Sequence, residues 1–204
     1  MRFTPLLATT FLTVSSVSAN FNIASLNINT LVGNDLGPDN KYGAPIAPWL
    51  PNHKPGWYIG HSPTHYPELP CLRGFICRVL AFFPFHLQCP TPLPPPPPPP
   101  TPPPSDGYHQ TFSNLTGATQ AADYLTFGLV DTVADCKAMC NGVTGCDFVN
   151  TYHDVNGKGG STQLTCSLFS QCHDASDADN VGGQTQADGT VDFITNSDGF
   201  CKDS

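Results

Sequence analysis

Nine cysteines are the residues of this chain whose type and spacing point most directly to a chemistry. Cys136 and Cys140 lie four residues apart on a segment with helical signals, and Cys146 and Cys166 follow it. Positions i and i+4 share one face of a helix, so the first two cysteines point at whatever packs there. The pattern is typical of disulfides that join a helix to a sheet. It indicates a small disulfide-built binding module rather than an active site.

Two His-Asp pairs, His153-Asp154 and His173-Asp174, contain the residue types of general acid–base catalysis. Adjacent residues in a strand or loop point apart, however, and no Ser or Cys nucleophile in a glycine-rich turn accompanies either pair. We therefore expect that the protein is not an enzyme. A small secreted hydrolase ranks third among the functions considered.

Metal-ligand residue types occur in two places. Hard oxygen donors that could hold calcium cluster within seven residues, at Asp174, Asp177, Asp179 and Asn180, but the glycine turn and the twelfth-position Glu of an EF-hand are absent. His61 and His65 flank Ser-Pro-Thr, and two histidines alone bind metal weakly. Solvated surface residues are the favoured interpretation of both groups, and we expect no metal and no cofactor.

Export from the cell follows from the first nineteen residues, which have one Arg, an apolar run and a Val17-Ser18-Ala19 ending typical of a signal peptide. Later apolar stretches are too interrupted to span a membrane. Many cysteines in an exported chain favour disulfides over zinc. The Asn114-Leu115-Thr116 sequon then predicts N-glycosylation at Asn114.

Composition divides the mature chain into three parts. Residues 20–89 are rich in Asn, Gly, Pro and aromatic residues, and residues 90–104 contain twelve prolines. We expect the proline tract to be an extended spacer that, at about 3.1 Å per residue, holds its ends roughly 45 Å apart. Residues 105–204 carry thirteen Asp, no Glu and three Lys, a net charge of −10 that disfavours nucleic acid and anionic lipid as partners.

The part before the tract is predicted to be largely irregular, with a short amphipathic helix near residues 71–83. Its cysteines, Cys71, Cys77 and Cys89, cannot all pair with one another, and either Cys77–Cys89 or Cys71–Cys89 is feasible. The remaining thiol beside an apolar face predicts a disulfide-linked dimer. An aromatic series precedes the helix and either packs on it or binds sugar rings: Trp49, Trp57, Tyr58 and Tyr66.

The last hundred residues predict an α+β domain of one helix and about five strands. Thr132 as N-cap, Asp135 at the third position and Asn141-Gly142 as the stop define a helix over Thr132–Asn141. Strands are predicted at residues 108–113, 124–130, 147–152, 164–169 and 191–195. A mixed aromatic and polar stretch at the end of the third strand predicts a recognition edge: Asn150, Tyr152, His153 and Asp154.

Three short strings carry a family resemblance: Val133-Ala134-Asp135-Cys136 continuing to Cys140, Gly145-Cys146-Asp147-Phe148, and Thr165-Cys166-Ser167-Leu168. They resemble the PAN/apple family, whose modules wrap an antiparallel sheet around one helix. The resemblance covers about half of the chain, residues 105–204, and implies the pairs Cys136–Cys166 and Cys140–Cys146, which leaves Cys172 to pair with Cys201. Together with the proline tract, the segment from Phe148 to Gly157 also resembles a group of secreted basidiomycete proteins associated with fruiting bodies.

The resemblance implies binding rather than catalysis. We therefore predict a secreted module that recognises an extracellular protein or polysaccharide at the cell wall or in the extracellular matrix. The alternative is a structural wall or surface protein, in which the proline tract and the segment before it crosslink or coat surfaces.

Overall fold

The computed structural model describes residues 35–90, 106–157 and 160–203. The predicted signal peptide and residues 91–104 of the proline tract lie outside these residues. We call residues 35–90 the N-terminal segment and residues 106–203 the C-terminal unit. Within both, no helix is long and apolar enough to cross a membrane.

The C-terminal unit is an α+β fold built on one sheet. Its strands are β2 (Tyr108–Leu115), β3 (Tyr124–Val130), β4 (Phe148–Val155), β5 (Leu164–Phe169), β6 (Gly182–Thr185) and β7 (Val191–Lys202). The N-terminal segment adds the short strand β1 (Tyr58–Ile59) and helix α1 (Phe75–Leu80), and helix α2 (Val133–Gly142) lies between β3 and β4. Three short 3₁₀ helices complete the elements: Pro38–Gly43, Pro63–His65 and Ala175–Asp177.

The sheet has seven strands in the order β1-β3-β5-β4-β7-β2, with β6 paired to the first part of β7. All pairs are antiparallel except β1 with β3, which is parallel. The five predicted strands are present, and β4 and β7 extend further than expected. β1 and β6 were not predicted, since neither has an alternating apolar pattern.

Helix α2 begins as the sequence predicts. Thr132 Oγ1 accepts a hydrogen bond from the Asp135 N–H at 3.1 Å, which satisfies one of the free donors of the first turn. Its buried face, Cys136, Met139 and Cys140, packs on the sheet. Disulfides Cys136–Cys166 and Cys140–Cys146 join that face to β5 and to the loop before β4, and Cys172–Cys201 joins the loop after β5 to β7.

The core lies on both faces of the sheet. Alternate residues of a strand point to opposite faces, so the neighbours Phe148 and Val149 of β4 enter different clusters. Val149 joins the helix-side cluster, together with Met139 and Leu168. Phe148 joins an aromatic cluster on the other face with Phe112, Tyr124, Phe127 and Phe169.

The N-terminal segment is part of this core and not a separate body. Fully buried Leu36, Trp57, Leu72 and Leu87 lie in the same cluster as Met139 of α2. Backbone hydrogen bonds join the two parts from Gly56 N–H to Phe127 C=O at 3.0 Å, Leu129 N–H to Trp57 C=O at 3.0 Å and Asp131 N–H to Ile59 C=O at 3.1 Å.

The expectation that the proline tract separates the two parts of the chain is wrong, because the two parts share one core. Pro90 and Ala138 of α2 line one cavity, and Asp106 accepts a hydrogen bond from Lys137 of the same helix at 2.6 Å. Pro90, at the start of the tract, and Asp106, just beyond its end, thus both lie near α2.

Helix α1 is shorter than predicted. It covers Phe75–Leu80, because a turn with hydrogen bonds from Phe82 N–H to Val79 C=O and from Phe83 N–H to Leu80 C=O follows directly. Of the two pairings that the sequence leaves open, the structure has Cys77–Cys89. Cys71 is free and partly buried.

Burial of Trp57 gives the first prediction. Trp57→Ala removes a fully buried ring and its hydrogen bond to Thr126 Oγ1 at 3.2 Å. We expect the free energy of unfolding of the whole chain to fall by about 3–5 kcal/mol, measured by urea denaturation. Trp49→Ala, at a partly exposed ring, is the control with a smaller expected loss. Unchanged stability of the C-terminal unit in W57A would show that the two parts are independent.

The free thiol gives a second prediction. Burial raises the pKa of Cys71, so little reactive thiolate is present near neutral pH. We expect one thiol per chain that reacts slowly with iodoacetamide in the folded protein, faster as the pH rises, and rapidly after denaturation. The disulfide-linked dimer expected from the sequence is the opposite outcome, since it would consume this thiol. A dimer band on a non-reducing gel, with no free thiol detected after denaturation, would contradict the expectation of one slowly reacting thiol per chain.

Candidate functional site

A groove of about 800 Å³ lies between the N-terminal segment and the C-terminal unit. One wall is formed by residues 51–55 with Tyr66, Glu68 and Leu69, and the other by residues 184–187. Leu129 of β3 lies between them, buried in the sheet. The two walls are more than a hundred residues apart in sequence, so the groove exists only because both parts pack together.

Tyr66 is held in place on the first wall. Its hydroxyl lies 2.7 Å from Ser161 Oγ of the C-terminal unit, and its ring centroid lies 4.9 Å from that of Tyr58. The ring is partly exposed. Because both ends of the side chain have partners, Tyr66 presents a fixed aromatic surface rather than a mobile one.

Asp131, at the end of β3, anchors this wall to the sheet. Its carboxylate accepts hydrogen bonds from the Tyr58 hydroxyl at 3.0 Å, the His61 N–H at 2.8 Å and the Gln163 side-chain amide. Burial, with Asp131 beside it, raises the pKa of Tyr58, so the phenol stays a neutral donor. The stretch from Tyr58 to Tyr66 is thereby fixed relative to β3.

His53 completes the first wall. Its Nδ1 lies 2.7 Å from the Leu50 C=O, and its ring meets Phe127 edge-on with centroids 5.8 Å apart. The ring therefore covers the aromatic cluster of the sheet at the edge of the groove. Lys54 and Glu68, both exposed, contribute one charge of each sign.

The second wall is a tight turn at the end of β6. Gln184 N–H donates to the buried Asp192 carboxylate, and Gln186 N–H donates to the Thr190 C=O at 2.7 Å. Within the turn, Asp188 accepts from the Thr190 N–H at 3.0 Å and hydroxyl at 2.7 Å, and these hydrogen bonds lower its pKa. The backbone of the turn is thus held, and side chains Gln184 and Gln186 line the groove.

The lining combines hydrogen-bonding groups with apolar surface and has no net charge. Amides on both walls, the Thr185 hydroxyl and the Tyr66 phenol can donate and accept hydrogen bonds. Pro51, Pro55, Leu69 and Leu129 provide the apolar part. Such a groove can hold a polar, uncharged ligand or an extended polymer segment, with hydrogen bonds at its edges and an aromatic contact at Tyr66.

The predicted recognition edge on β4 is not a surface. Asn150, Tyr152 and Asp154 are buried, and only His153 is partly exposed. Asn150 has a structural role, since its Oδ1 accepts from the Thr119 N–H at 2.8 Å and its Nδ2 donates to Ser197 Oγ at 2.9 Å. β4 lies between β5 and β7, so both its edges are paired, and the three buried side chains are not accessible to a ligand.

His173 is paired with two carboxylates, neither of them Asp174. Its Nε2 lies 3.0 Å from Asp123 and its Nδ1 lies 2.8 Å from Asp177. The ring packs edge-on against Phe148 and Phe169. With both nitrogens engaged and little of the side chain exposed, the histidine ties the loop after β5 to the start of β3. The arrangement is that of a structural cross-link.

The residues of the calcium candidate have other partners. Asp174 caps the 3₁₀ helix Ala175–Asp177 by accepting from the Ser176 N–H and hydroxyl, which lowers its pKa. Asp177 contacts His173, and Asn180 accepts from the Gly182 N–H. Asp174, Asp177 and Asp179 do not bring carboxylate oxygens within 4.8 Å of one another. Among the described residues, the one group that meets this distance is His109, Cys172 and Cys201, whose sulfurs form a disulfide.

The sequon asparagine lies at an exposed irregularity of β2. Asn114 has φ +52°, and its side-chain oxygen accepts from Asn196 Nδ2 at 3.1 Å. Glycosylation there stays a prediction. His61 and His65 are both exposed beside the groove wall, and the His61 backbone, not its ring, makes the contact with Asp131.

Comparison of the chain with protein-family models, curated proteins and solved structures found no match. The fold and the groove are therefore the basis for assigning a class, that of a disulfide-linked α+β protein with a polar groove between its two parts.

The pairing of His173 gives a third prediction. Asp123→Ala leaves a partly buried ring nitrogen of His173 and the Gln171 N–H without their acceptor. We expect a loss of about 1–3 kcal/mol in the free energy of unfolding, measured by urea denaturation. Asp177→Ala, at a carboxylate that is 43% exposed, is the matched control with a smaller loss. An equal, negligible effect of both changes would contradict the structural role of His173.

Proposed function

We propose that this protein is an extracellular recognition module that binds a protein or polysaccharide of the cell wall or matrix in the groove. The observation that carries the proposal is the lining itself, in which amide side chains on two opposed walls surround an apolar floor and a fixed tyrosine. Ligand sites in proteins combine apolar surface with a few placed polar groups in this way.

Four disulfides and the finding that no described helix could span a membrane support the extracellular part of the proposal. Disulfides persist in oxidising compartments, and they contribute about 2–5 kcal/mol each to small exported domains.

Kinship with PAN/apple modules is part of the proposal. One helix packed across a largely antiparallel sheet, with Cys136–Cys166 and Cys140–Cys146 between them, supports it. The sheet also contains the parallel strand β1, which comes from outside the stretch that carries the resemblance. Binding would then use surface that the N-terminal segment adds to such a module.

The structural wall protein is the weaker candidate. It assigns crosslinking or coating to the N-terminal segment alone, whereas that segment shares a core and a sheet with the C-terminal unit. A hydrolase is weaker again, since His173 is engaged by Asp123 and Asp177.

Retention on insoluble wall polysaccharides and on immobilised matrix proteins tests the proposal. We expect saturable binding of the full chain to one of these materials. Glu68→Ala combined with Gln186→Ala removes one polar group from each wall and should weaken that binding about tenfold, since two hydrogen bonds are lost.

Gln110→Ala, at an exposed amide on β2 outside the groove, is the matched control and should bind as the unaltered chain does. Binding that the wall variants leave unchanged would place the ligand elsewhere on the molecule. The proposal fails if the chain is retained by none of these materials.

A further inference from the structure

The turn after α1 carries the most exposed large apolar side chains of the described residues. Phe82 and Phe85 are 82% and 83% exposed, and Phe83 between them is 50% exposed. We call residues 81–88 the aromatic loop. Exposed phenylalanines scattered singly need no explanation, but three within four residues form one apolar tip.

The aromatic loop is held in shape. The Cys77–Cys89 disulfide joins α1 to the residue that follows the loop, with the Cα atoms 5.4 Å apart. Leu87, at the base, is buried in the helix-side core, and its N–H donates to the Leu36 C=O at 2.8 Å. The tip therefore projects from a fixed base, and the cost of ordering it on contact with a partner is small.

Much of the loop's backbone hydrogen bonding is internal. The N–H groups of Phe82, Phe83 and His86 donate to carbonyls within α1 and the loop, and Pro84 has no N–H. The Gln88 side-chain amide donates to the carbonyls of Phe83 and His86 at 3.1 and 3.0 Å. These paired N–H and carbonyl groups do not need water as a partner, so their entry into an apolar medium costs less.

The sequence around the tip contains basic residues and no acidic ones. Between Glu68 and Asp106 the sequence contains no acidic residue, and Arg73 and Arg78 are both exposed. Arg73 forms an ion pair with Asp135 of α2 at 3.1 Å. Arg78, which is not part of this ion pair, is the charged residue nearest to the tip in sequence. The C-terminal unit is acidic, whereas the sequence around the loop has no acidic residue, so lipid phosphate is repelled less there.

The exposed apolar area of the tip indicates which kind of partner can cover it. At about 200 Å² for a whole phenylalanine side chain, the exposed parts of the three rings amount to roughly 400 Å². A stable protein interface needs about 800 Å² on each partner and a matching surface. A small projecting tip falls short of that, whereas insertion into the interfacial region of a bilayer requires no matching shape.

We propose that the aromatic loop inserts into the surface of a zwitterionic lipid bilayer and attaches the protein peripherally to membranes. The rings of Phe82, Phe83 and Phe85 enter the acyl boundary, and Arg78 lies at the level of the phosphates. The site is separate from the groove, and membrane attachment does not depend on what the groove binds.

Co-sedimentation of the full chain with phosphatidylcholine vesicles tests the proposal. We expect lipid-dependent sedimentation that survives 0.5 M NaCl, because apolar contact dominates. Phe82→Ser combined with Phe85→Ser should reduce the partition coefficient at least tenfold without lowering the free energy of unfolding, since both rings are exposed.

Val181→Ser combined with Phe193→Ser is the matched control, because Val181, just before β6, and Phe193 of β7 are both exposed and lie outside the aromatic loop. It should bind vesicles as the unaltered chain does. The proposal is overturned if the chain stays in the supernatant at millimolar lipid, if F82S/F85S sediments equally well, or if those changes dissociate a dimer, which would make a second copy the occupant.

Discussion

The close approach of Trp57 to Gly128 joins the two parts of this protein. A Cβ atom at position 128 would lie 2.3 Å from Cδ2 of the indole, so the ring occupies space that only a glycine in β3 leaves open. The same contact brings the Trp57 carbonyl to the Leu129 N–H and allows β1 to pair in register with the end of β3. Since Leu129 lies between the walls of the groove, the groove depends on this packing. Any larger residue at 128 would move the N-terminal segment off the sheet.

Burial on both faces of the sheet explains why polar residues of β4 were misinterpreted as an exposed surface. The stretch from Asn150 to Asp154 has the composition of an exposed edge, yet β4 is an interior strand. Asn150 is accommodated there by specific partners, since its side-chain amide joins Thr119 to Ser197 and to the Asp198 carbonyl. A buried polar group with its hydrogen bonds satisfied costs little, and one that loses a partner costs much more. Asn150 therefore helps to fix the position of β4 within the sheet.

Local signals in the sequence predicted the local elements well. The cap at Thr132, the stop after Asn141 and the alternation in β3 and β5 depend on neighbouring residues, so they could be recognised without the fold. β1 could not, because two residues have no period and their strand forms only against β3. The groove was missed for the same reason, since no short-range pattern relates residues 51–55 to residues 184–187. The composition of the proline tract suggested that the two parts of the chain are separate. They share one core instead, through buried side chains that the composition of the tract does not reveal.

The N-terminal segment is the less strongly held part of the structure. It has little regular secondary structure and one internal disulfide, whereas three disulfides lie in the C-terminal unit. Its order comes from side chains such as Leu36 and Trp57 inserted into a core whose other half belongs to the sheet. Segments with few contacts of their own open at a lower free-energy cost than the global unfolding of the chain. A ligand that contacts both walls of the groove binds only when the N-terminal segment is docked on the C-terminal unit. Such a ligand stabilises the docked arrangement by mass action, so a change that weakens docking also weakens ligand binding.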